Sequence, residues 1–288
     1  MKTIPAHNAE LTGYYRMENN KELVTQRNFE EKRLDEQEKQ LKHCVFDNLE
    51  IMNNIKGVIQ IGAAYGEQIE NFQHIPIQIY FEPVTQAFNI AREKLTKNEI
   101  IKKEMNETII YNVAIGEKSG YIKFHQCGPN NSNSSSVLPF SKVATDYNPK
   151  LITEDTYDVP VWSLDDYILY NKGVSESKVL AKQCNLLFMD TQGYEWYVIK
   201  GAEKIISQFD YIYTEVNHIA LYEGTILFRE FNALMYKNGF ILADLTPLIK
   251  STGSQSNALY KKRLATFEDF SKIKDMSHTI HFNDGMDK

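Results

Sequence analysis

The sequence predicts an α/β fold, in which a mostly parallel sheet carries helices on both faces. Three observations lead to this prediction. Short apolar runs typical of buried strands alternate with segments of helical periodicity. A glycine-bracketed turn follows the first apolar run, and carboxylates stand at or near the ends of several others. Because ligands bind such sheets outside the carboxyl ends of the strands, we expect the functional site there.

The first strand and its turn predict a nucleotide-type cofactor. An apolar run at 58–61 leads to Gly62 and Gly66, and a second run at 75–81 ends at Glu82. Glycines allow a sharp turn and let a ligand approach the main-chain amides. Glu82 follows Gly62 by 20 residues, which is the place of a carboxylate that binds ribose hydroxyls. The stretch therefore indicates a cofactor that contains adenosine, although an ordinary solvated strand end would have the same pattern.

The composition sets limits on the class of protein. The chain has 288 residues, of which 42% are hydrophobic and 24% charged, so we expect one large domain or one domain with extensions. The net charge of −6 argues against nucleic-acid binding, which depends on cationic patches. No apolar run approaches the roughly 20 residues of a membrane span, and the amino terminus lacks the apolar core of a secretion signal.

Cysteine usage indicates a reducing compartment. The chain has 3 cysteines, Cys44, Cys127 and Cys184, which are scattered and form no Cys-x-x-Cys pair. This pattern supports neither a disulfide framework nor a thiolate zinc site, so we expect a cytoplasmic protein.

Residues 1–50 are predicted to form a helical extension ahead of the main domain. The segment 22–42 is crowded with Glu, Lys, Arg and Gln, which are good helix formers. Its apolar stripe is thin and consists of Leu34, Leu41 and Val45. Such a stripe could seat the helix on the main domain or on a partner subunit of a homo-oligomer, or the helix could simply be solvated.

The main domain is predicted over 51–262, and a tail over 263–288. After the second strand, the hydrophobic pattern predicts helices over 84–97, 194–202 and 228–236. It predicts strands over 109–114 and 121–125 as hairpin partners, and further strands over 157–164, 185–190, 211–216 and 240–245. A final edge strand is predicted over 258–260. The polar tract at 128–136 is predicted to be a loop, either mobile or able to close on a ligand.

A series of short sequence blocks carries a resemblance to a known family. The most specific are Phe81-Glu-Pro83 and Asp190-x-Gln-Gly-x-Glu195. The other blocks are 58–66, 112–116, 161–167, 200–202, 214–216 and 238–240. In this order they resemble the FkbM family of S-adenosylmethionine-dependent methyltransferases, over roughly residues 55–262 of the chain.

The resemblance implies a Rossmann-like class I methyltransferase fold, with seven strands of which the last is antiparallel. It implies S-adenosylmethionine as the cofactor, with its ribose on Glu82 and its adenine near Asn112 and Val113. The methionine end would lie over the turn, which consists of Gly62, Ala63, Ala64, Tyr65 and Gly66. Two positions depart from the family pattern: Gln60 stands where an acidic residue is common, and Ala64 where Asn is frequent.

Methyl transfer from a sulfonium to a hydroxyl needs the acceptor oxygen held in line and relieved of its proton. Asp190 and Glu215 are predicted at the ends of neighbouring strands, about 5 Å apart, with Asp190 also bordering the cofactor. Two carboxylates this close either share a cation, for which Mg²⁺ or Mn²⁺ is suited, or raise one another's pKa. His218 could act as the base or as a third metal ligand. The alternatives are a helix N-cap for Asp190, a structural hydrogen-bond acceptor for Glu215 and a surface position for His218.

We therefore expect an S-adenosylmethionine-dependent O-methyltransferase that acts on a hydroxyl of a small molecule. Analogy with the family favours a sugar or nucleotide-sugar as the acceptor. One rival is an NAD-dependent oxidoreductase of Rossmann type, which would need a glycine where Ala64 stands. The other is a catalytically silent scaffold that binds adenosylmethionine or nothing.

Overall fold

The computed structural model of the protein describes residues 48–104, 106–128, 133–170, 179–248 and 253–263. The predicted helical extension lies outside the described residues as far as residue 47, and so does the predicted tail from residue 264. Among the helices that the structure describes, none combines the length and the apolar character of a membrane span.

In the described part of the chain, ten strands form two sheets. They are β1 (Gly57–Ile61), β2 (Ile77–Phe81), β3 (Glu107–Tyr111), β4 (Ala114–Ile115), β5 (Gly120–Cys127), β6 (Thr153–Trp162), β7 (Leu186–Met189), β8 (Tyr211–Asn217), β9 (Phe240–Leu245) and β10 (Gln255–Lys262). Seven of them form a central sheet in the order β3-β2-β1-β7-β8-β10-β9, and β4, β6 and β5 form a smaller sheet. All neighbours in the central sheet are parallel except β10, which runs antiparallel to β8 and β9. The predicted seven-stranded, mostly parallel sheet is confirmed.

The helices are α1 (Leu49–Asn53), α2 (Ile69–Phe72), α3 (Thr85–Lys97), α4 (Glu99–Glu104), α5 (Lys142–Tyr147), α6 (Glu195–Lys200) and α7 (Phe228–Lys237), with a π-helical turn at Asp166–Tyr170 and a 3₁₀ turn at Ile206–Gln208. The helices predicted over 84–97 and 228–236 are confirmed. On α7 the buried side chains are Phe231, Leu234 and Met235, which lie on the face that the helical spacing predicts.

The central strands are buried on both faces. Every residue of β1, β2 and β7 is buried, as expected of parallel strands covered by helices. Two of these positions are polar and make hydrogen bonds inside the protein. Gln78 donates to the Ile75 carbonyl and accepts from the Tyr80 hydroxyl. Gln60 donates from Nε2 to the Gly62 carbonyl over 3.3 Å. These hydrogen bonds give each buried amide a partner, so polar residues are tolerated within the buried strands.

The strand predicted over 109–114 is wrong at its end. β3 stops at Tyr111, and β4 pairs with β6 in the smaller sheet instead. The chain bends between β3 and β4 at Asn112, whose Nδ2 donates to the carbonyl oxygens of Glu82 and Pro83, at 2.9 Å each. This side chain therefore ends β3 by fastening it to the loop that follows β2.

Two further strand predictions need correction. The segment 121–125 lies in β5, which pairs antiparallel with β6 rather than forming a hairpin with the strand before it. The strand predicted over 258–260 is eight residues long and lies between β8 and β9, so it is not an edge strand. β9 forms the edge, and four of its six residues are exposed. An apolar pattern shows that a strand exists, but the partner strands are chosen by contacts distant in sequence.

The buried tyrosines Tyr80 and Tyr260 provide a matched test of this core. Both side chains are fully buried. The Tyr80 hydroxyl donates to Gln78 Oε1 over 2.8 Å, whereas the Tyr260 hydroxyl has no hydrogen-bond partner among the described residues. We expect Tyr80→Phe to lower the free energy of unfolding by about 1 kcal/mol, because Gln78 loses its donor. Tyr260→Phe should leave that free energy unchanged or raise it by about 1 kcal/mol.

Urea unfolding of the two variants measures this difference. A Tyr260→Phe protein that is less stable than the Tyr80→Phe protein would show that the Tyr260 hydroxyl has a partner.

Candidate active site

The turn after β1 brings main chain close to the end of β7. Gly62 has φ +80° and Gly66 has φ +78°, both in the left-handed region that glycine adopts without strain. A Cβ added at Gly62 would lie 1.9 Å from the Asp190 carbonyl oxygen. Gly62 is therefore required both by its φ and by the close approach to the loop that carries Asp190.

Ala64 occupies the left-handed region without being glycine. Its φ is +46°, and its main-chain N donates to Glu82 Oε2 over 2.8 Å. An L-residue with a Cβ is strained in this conformation by roughly 1–2 kcal/mol, whereas Asn tolerates it better. The turn thus keeps its shape at Ala64 because the buried carboxylate holds the amide in place.

Glu82 ends β2 beneath this turn, as predicted. Its Oε2 accepts from Ala64 N and its Oε1 from Val84 N, both over 2.8 Å, and the residue is 5% exposed. Burial raises the pKa of Glu82 to about 7, against the two amide hydrogen bonds, and the charges of Glu67 and Asp190 raise it further. Each carboxylate oxygen keeps a lone pair that a ligand hydroxyl can use.

Asn112 contacts Glu82, and neither Asn112 nor the following Val113 presents a free side chain. The Asn112 amide holds the loop after β2, and its Oδ1 accepts from Thr85 Oγ1 over 2.9 Å. Val113 is buried in the main hydrophobic core. Their predicted contact with adenine stays a prediction, and it would have to come from main chain or from the surface that Asn112 shapes.

Asp190 follows β7 and opens onto solvent. Its main-chain N donates to the Ile61 carbonyl over 3.0 Å, and its Oδ1 accepts from Gln192 Nε2 over 2.7 Å. Protein atoms still crowd the exposed carboxylate, and this desolvation raises its pKa. The hydrogen bond from Gln192 opposes that rise, and the charge of Glu67 adds to it.

Glu215 lies across from Asp190 on the neighbouring strand β8, and it is buried. Its Oε2 accepts from Gln255 Nε2 over 2.5 Å and from Gln192 Nε2 over 3.4 Å. Burial raises the pKa of Glu215 well above its ordinary value, and the charges of Asp190 and Glu195 raise it further. Glu215 is therefore a buried hydrogen-bonding group, which is the structural alternative that the sequence left open.

Glu195 organises the loop between Asp190 and α6. Its Oε1 accepts from Thr191 N and Thr191 Oγ1, at 2.9 and 3.0 Å, and from Gly193 N at 3.3 Å. Burial raises the pKa of this carboxyl to about 7. It is buried and orients the loop through these hydrogen bonds.

The residues present do not fit the predicted Mg²⁺ or Mn²⁺ ion. Gln192 Nε2, an N–H donor, bridges the Asp190 and Glu215 carboxylates where a shared cation would have to lie. In the part of the chain that the structure describes, no group of three or more His, Cys, Asp or Glu side chains is arranged to hold a metal ion. The metal prediction is therefore not supported.

His218 lies apart from the two carboxylates. Its Nε2 contacts Ser256 Oγ at 3.1 Å, and its ring packs against Phe228 with centroids 5.2 Å apart. His218 lies in the bend after β8, and its partner Ser256 pairs with Val216, whose side chain points to the opposite face from Glu215. It does not form a site with Asp190 and Glu215.

Sequence reasoning missed four side chains around these carboxylates: Glu67, Gln192, Tyr222 and Gln255. Gln192 was visible in the block that resembles the family, and Glu67 directly follows Gly66. Gln255 stands in a Ser-rich and Gly-rich stretch, and Tyr222 in a loop, so no sequence pattern marked either of them. Their positions follow from how β10 and the loop after β8 pack on the sheet.

The sheet order with one antiparallel strand and the glycine turn facing a strand-end carboxylate define a class I methyltransferase fold. A model of the methyltransferase FkbM domain matches residues 60–242. The chain belongs to this FkbM methyltransferase family, as its sequence blocks predicted.

Named relatives show how far the likeness extends. The chain is similar to the 2-O-methyltransferase NoeI of Sinorhizobium fredii, with 25% identity over 183 residues, which are 60% of this chain and 68% of that protein. It is similar to the solved FkbM methyltransferase of Methylobacillus flagellatus, with 13% identity and a TM-score of 0.44, over 72% of this chain and 43% of that one. It also matches the magnesium protoporphyrin IX methyltransferase of Synechocystis, solved with bound S-adenosylmethionine, with 9% identity and a TM-score of 0.43, over 88% and 92%. The chain thus spans less than half the length of the solved FkbM protein.

The strain at Ala64 can be tested by comparing a glycine substitution there with the same substitution at Ala63. Ala64→Gly removes a Cβ from a left-handed residue, and this gain offsets the flexibility that glycine adds to the unfolded chain. Ala63→Gly has no such gain, because Ala63 is not left-handed, and it loses a buried methyl group. We expect Ala64→Gly to be neutral or stabilising and Ala63→Gly to lose about 1 kcal/mol of unfolding free energy. Thermal unfolding of both variants, without cofactor, measures this, and equal losses would contradict the strain at Ala64.

The buried carboxyls Glu82 and Glu195 should make stability fall as pH rises. Each has a pKa of about 7 in the folded protein and an ordinary value of 4.5, so between these values the folded state binds more protons than the unfolded state. The stabilising contribution is complete below about pH 4.5 and is lost as pH rises through about 7, at roughly 1–3 kcal/mol per pH unit.

Unfolding free energies across this window measure the slope, and Glu82→Gln should flatten it. Glu99→Gln, which changes an exposed residue of α4, should not flatten it. A stability that rises with pH over the same window would contradict the protonation of these carboxyls.

Proposed function

We propose that this protein transfers a methyl group from S-adenosylmethionine to a hydroxyl of a small polyhydroxylated acceptor, such as a sugar or nucleotide-sugar. The observation that carries the proposal is Glu82, which is buried at the end of β2 with both oxygens fixed by the amides of Ala64 and Val84. Membership of the FkbM family supports methyl transfer over the oxidoreductase alternative. The name of the relative, a 2-O-methyltransferase, supports an oxygen acceptor.

The charges around the turn suit a cationic cofactor. Glu67 and Asp190 both raise the pKa of Glu82, and Glu67 also raises that of Asp190, so the three carboxylates repel one another. S-Adenosylmethionine carries a sulfonium and an ammonium group, which would relieve this repulsion. The ribose hydroxyls would donate to the free lone pairs of Glu82, and the methionine end would lie over the turn from Gly62 to Gly66.

Asp190 is the side chain suited to the chemical step. It is exposed beside the turn, and its Oδ1 is occupied by Gln192, which leaves Oδ2 to face the acceptor. In the reaction, the acceptor oxygen forms a bond to the methyl carbon, the bond from that carbon to sulfur breaks, and the hydroxyl proton passes to Asp190 Oδ2. A raised pKa makes this carboxylate a stronger base, and Asp190 must be ionised to act. Glu215 and His218, which were predicted beside it, have structural contacts instead.

Cofactor binding is tested with Glu82→Gln, which keeps the size of the side chain and removes its charge. Adenosylhomocysteine affinity, measured by calorimetry, should fall at least about tenfold, because the ribose hydroxyls lose a charged acceptor. Glu70→Gln on α2, an exposed position, serves as the control and should bind as the wild type does. Equal affinities for the three proteins would remove Glu82 from the cofactor site.

The chemical step is tested with Asp190→Asn on an acceptor found by screening free sugars and nucleotide-sugars for uptake of a radiolabelled methyl group. The rate of transfer should fall by about 10²–10⁴, the usual contribution of a general base, while adenosylhomocysteine still binds. Wild-type transfer should persist after treatment with a chelator, since the site is not arranged for a metal ion. Loss of wild-type activity in the chelator, and its return with Mg²⁺ or Mn²⁺, would contradict the proposed base.

A further inference from the structure

One side chain, that of Gln192, makes hydrogen bonds to three others, those of Asp190, Glu215 and Tyr222. Its Nε2 donates to Asp190 Oδ1 over 2.7 Å and to Glu215 Oε2 over 3.4 Å. Its Oε1 accepts from the Tyr222 hydroxyl over 2.9 Å. The amide is thus oriented from both ends, because a donor fixes its oxygen and two carboxylates fix its nitrogen.

The main chain of Gln192 is held as firmly as its side chain. Its φ is +56°, a left-handed conformation that costs a residue with a Cβ roughly 1–3 kcal/mol. Ser136 Oγ donates to the Gln192 carbonyl over 2.9 Å, and a Cβ added at the following Gly193 would lie 2.3 Å from Thr225 Oγ1. Strain of this kind persists only where the surroundings determine the conformation, and it concentrates at functional sites.

Tyr222 is fixed in turn by the neighbouring segments. Its ring stacks on Phe140 with centroids 5.2 Å apart, and its hydroxyl also lies 3.0 Å from the Ser134 carbonyl oxygen. The segment before α5 therefore reaches the Gln192 amide through one tyrosine.

We propose that Gln192 is a positioning residue, which holds Oδ1 of Asp190 so that Oδ2 points at the methyl group and the acceptor, and that Tyr222 acts through Gln192. The inference rests on the proposed function, because it takes the cofactor to lie over the turn. The competing view is that Gln192 only completes the packing of the loop.

The surroundings of Asp190 explain why a neutral donor is needed there. Carboxyl groups approach it from four elements: Glu67 after the turn, Glu82 after β2, Glu195 on α6 and Glu215 on β8. A second carboxylate at position 192 would add repulsion, and an apolar side chain would leave Asp190 Oδ1 without its donor. An amide satisfies Asp190 and separates it from Glu215 without adding charge.

Two cofactor forms provide a probe that needs no acceptor. S-Adenosylmethionine carries a positive sulfonium, whereas adenosylhomocysteine lacks the methyl group and the charge and is otherwise the same. Contacts to ribose and adenine affect both ligands equally and cancel in the ratio of their dissociation constants. That ratio therefore reports whether a carboxylate is held at the sulfonium.

The experiment compares this ratio, by calorimetry at one pH, in the full chain and in its variants. Asp190→Asn should reduce the preference for S-adenosylmethionine by about threefold to tenfold, and Gln192→Met, which keeps size and removes the donor, should do so to a similar extent. Gln86→Met, at an exposed position on α3, is the matched control and should keep the wild-type ratio.

A second pair of variants tests the chain from Tyr222 to Asp190. Tyr222→Phe should reduce the preference by less than Gln192→Met does, and the double variant should be no worse than Gln192→Met alone, because Tyr222 acts through the amide. If Gln192→Met does not fold, Gln192→Gly replaces it, since glycine adopts φ +56° without strain and also lacks the donor.

The possible outcomes distinguish the positioning role of Gln192, the part played by Tyr222 and the proposed function. An unchanged ratio in the Gln192 variants, or equal losses of affinity for both ligands, would overturn the positioning role, since a packing defect does not distinguish the ligands. Additive effects of Tyr222→Phe and Gln192→Met would overturn the part played by Tyr222. A wild-type protein that binds neither ligand would overturn the proposed function and this inference with it.

Discussion

The hydrogen bonds of Glu82 join the turn after β1 to the loop after β2. One carboxylate oxygen accepts from Ala64 N in the turn after β1, and the other accepts from Val84 N in the loop after β2. The side chain is buried, so breaking either bond would leave a polar group without a partner. Asn112 secures the same loop from the other side through the carbonyl oxygens of Glu82 and Pro83. The relative position of this turn and this loop therefore depends on one carboxylate and its amide partners.

Close contacts between main chains set the rest of the geometry. A Cβ at Gly62 would lie 1.9 Å from the Asp190 carbonyl oxygen, and one at Gly201 would lie 2.0 Å from the Gly116 carbonyl oxygen. The first contact joins the turn to the loop that carries Asp190, and the second joins the end of α6 to the loop after β4. These glycines lie far apart in sequence, and each allows two separate segments of main chain to come into contact. The smaller sheet and the loop before α6 are held to the central sheet in this way.

The sequence predicted what depends on local pattern and missed what depends on partners. Buried strands and amphipathic helices are periodic, so β1, β7 and α7 were found close to their true bounds. The place of β10 inside the sheet and the pairing of β5 with β6 depend on segments that are distant in sequence. The predictions of an edge strand and of a hairpin were therefore wrong. The proximity of Asp190 and Glu215 followed correctly from sheet geometry. The bridging position of the Gln192 amide did not follow from sheet geometry, because it depends on a left-handed φ and on Tyr222. His218 lies in the bend beyond β8, and its contact with Ser256, the partner of Val216, places it on the other face from Glu215.

The repulsion among the carboxyls is the property of the fold that favours the proposed cationic cofactor. Glu82, Asp190, Glu195 and Glu215 all have raised pKa values, chiefly because they are desolvated, and in all four a neighbouring carboxylate adds to the effect. The protein combines this unfavourable electrostatic energy with two strained left-handed residues, Ala64 and Gln192. A ligand that brings positive charge to the turn lowers the energy of the folded state alone, so it binds and stabilises through the same interaction. The strained turn and the crowded carboxyls are therefore the features that the proposed cationic cofactor would stabilise.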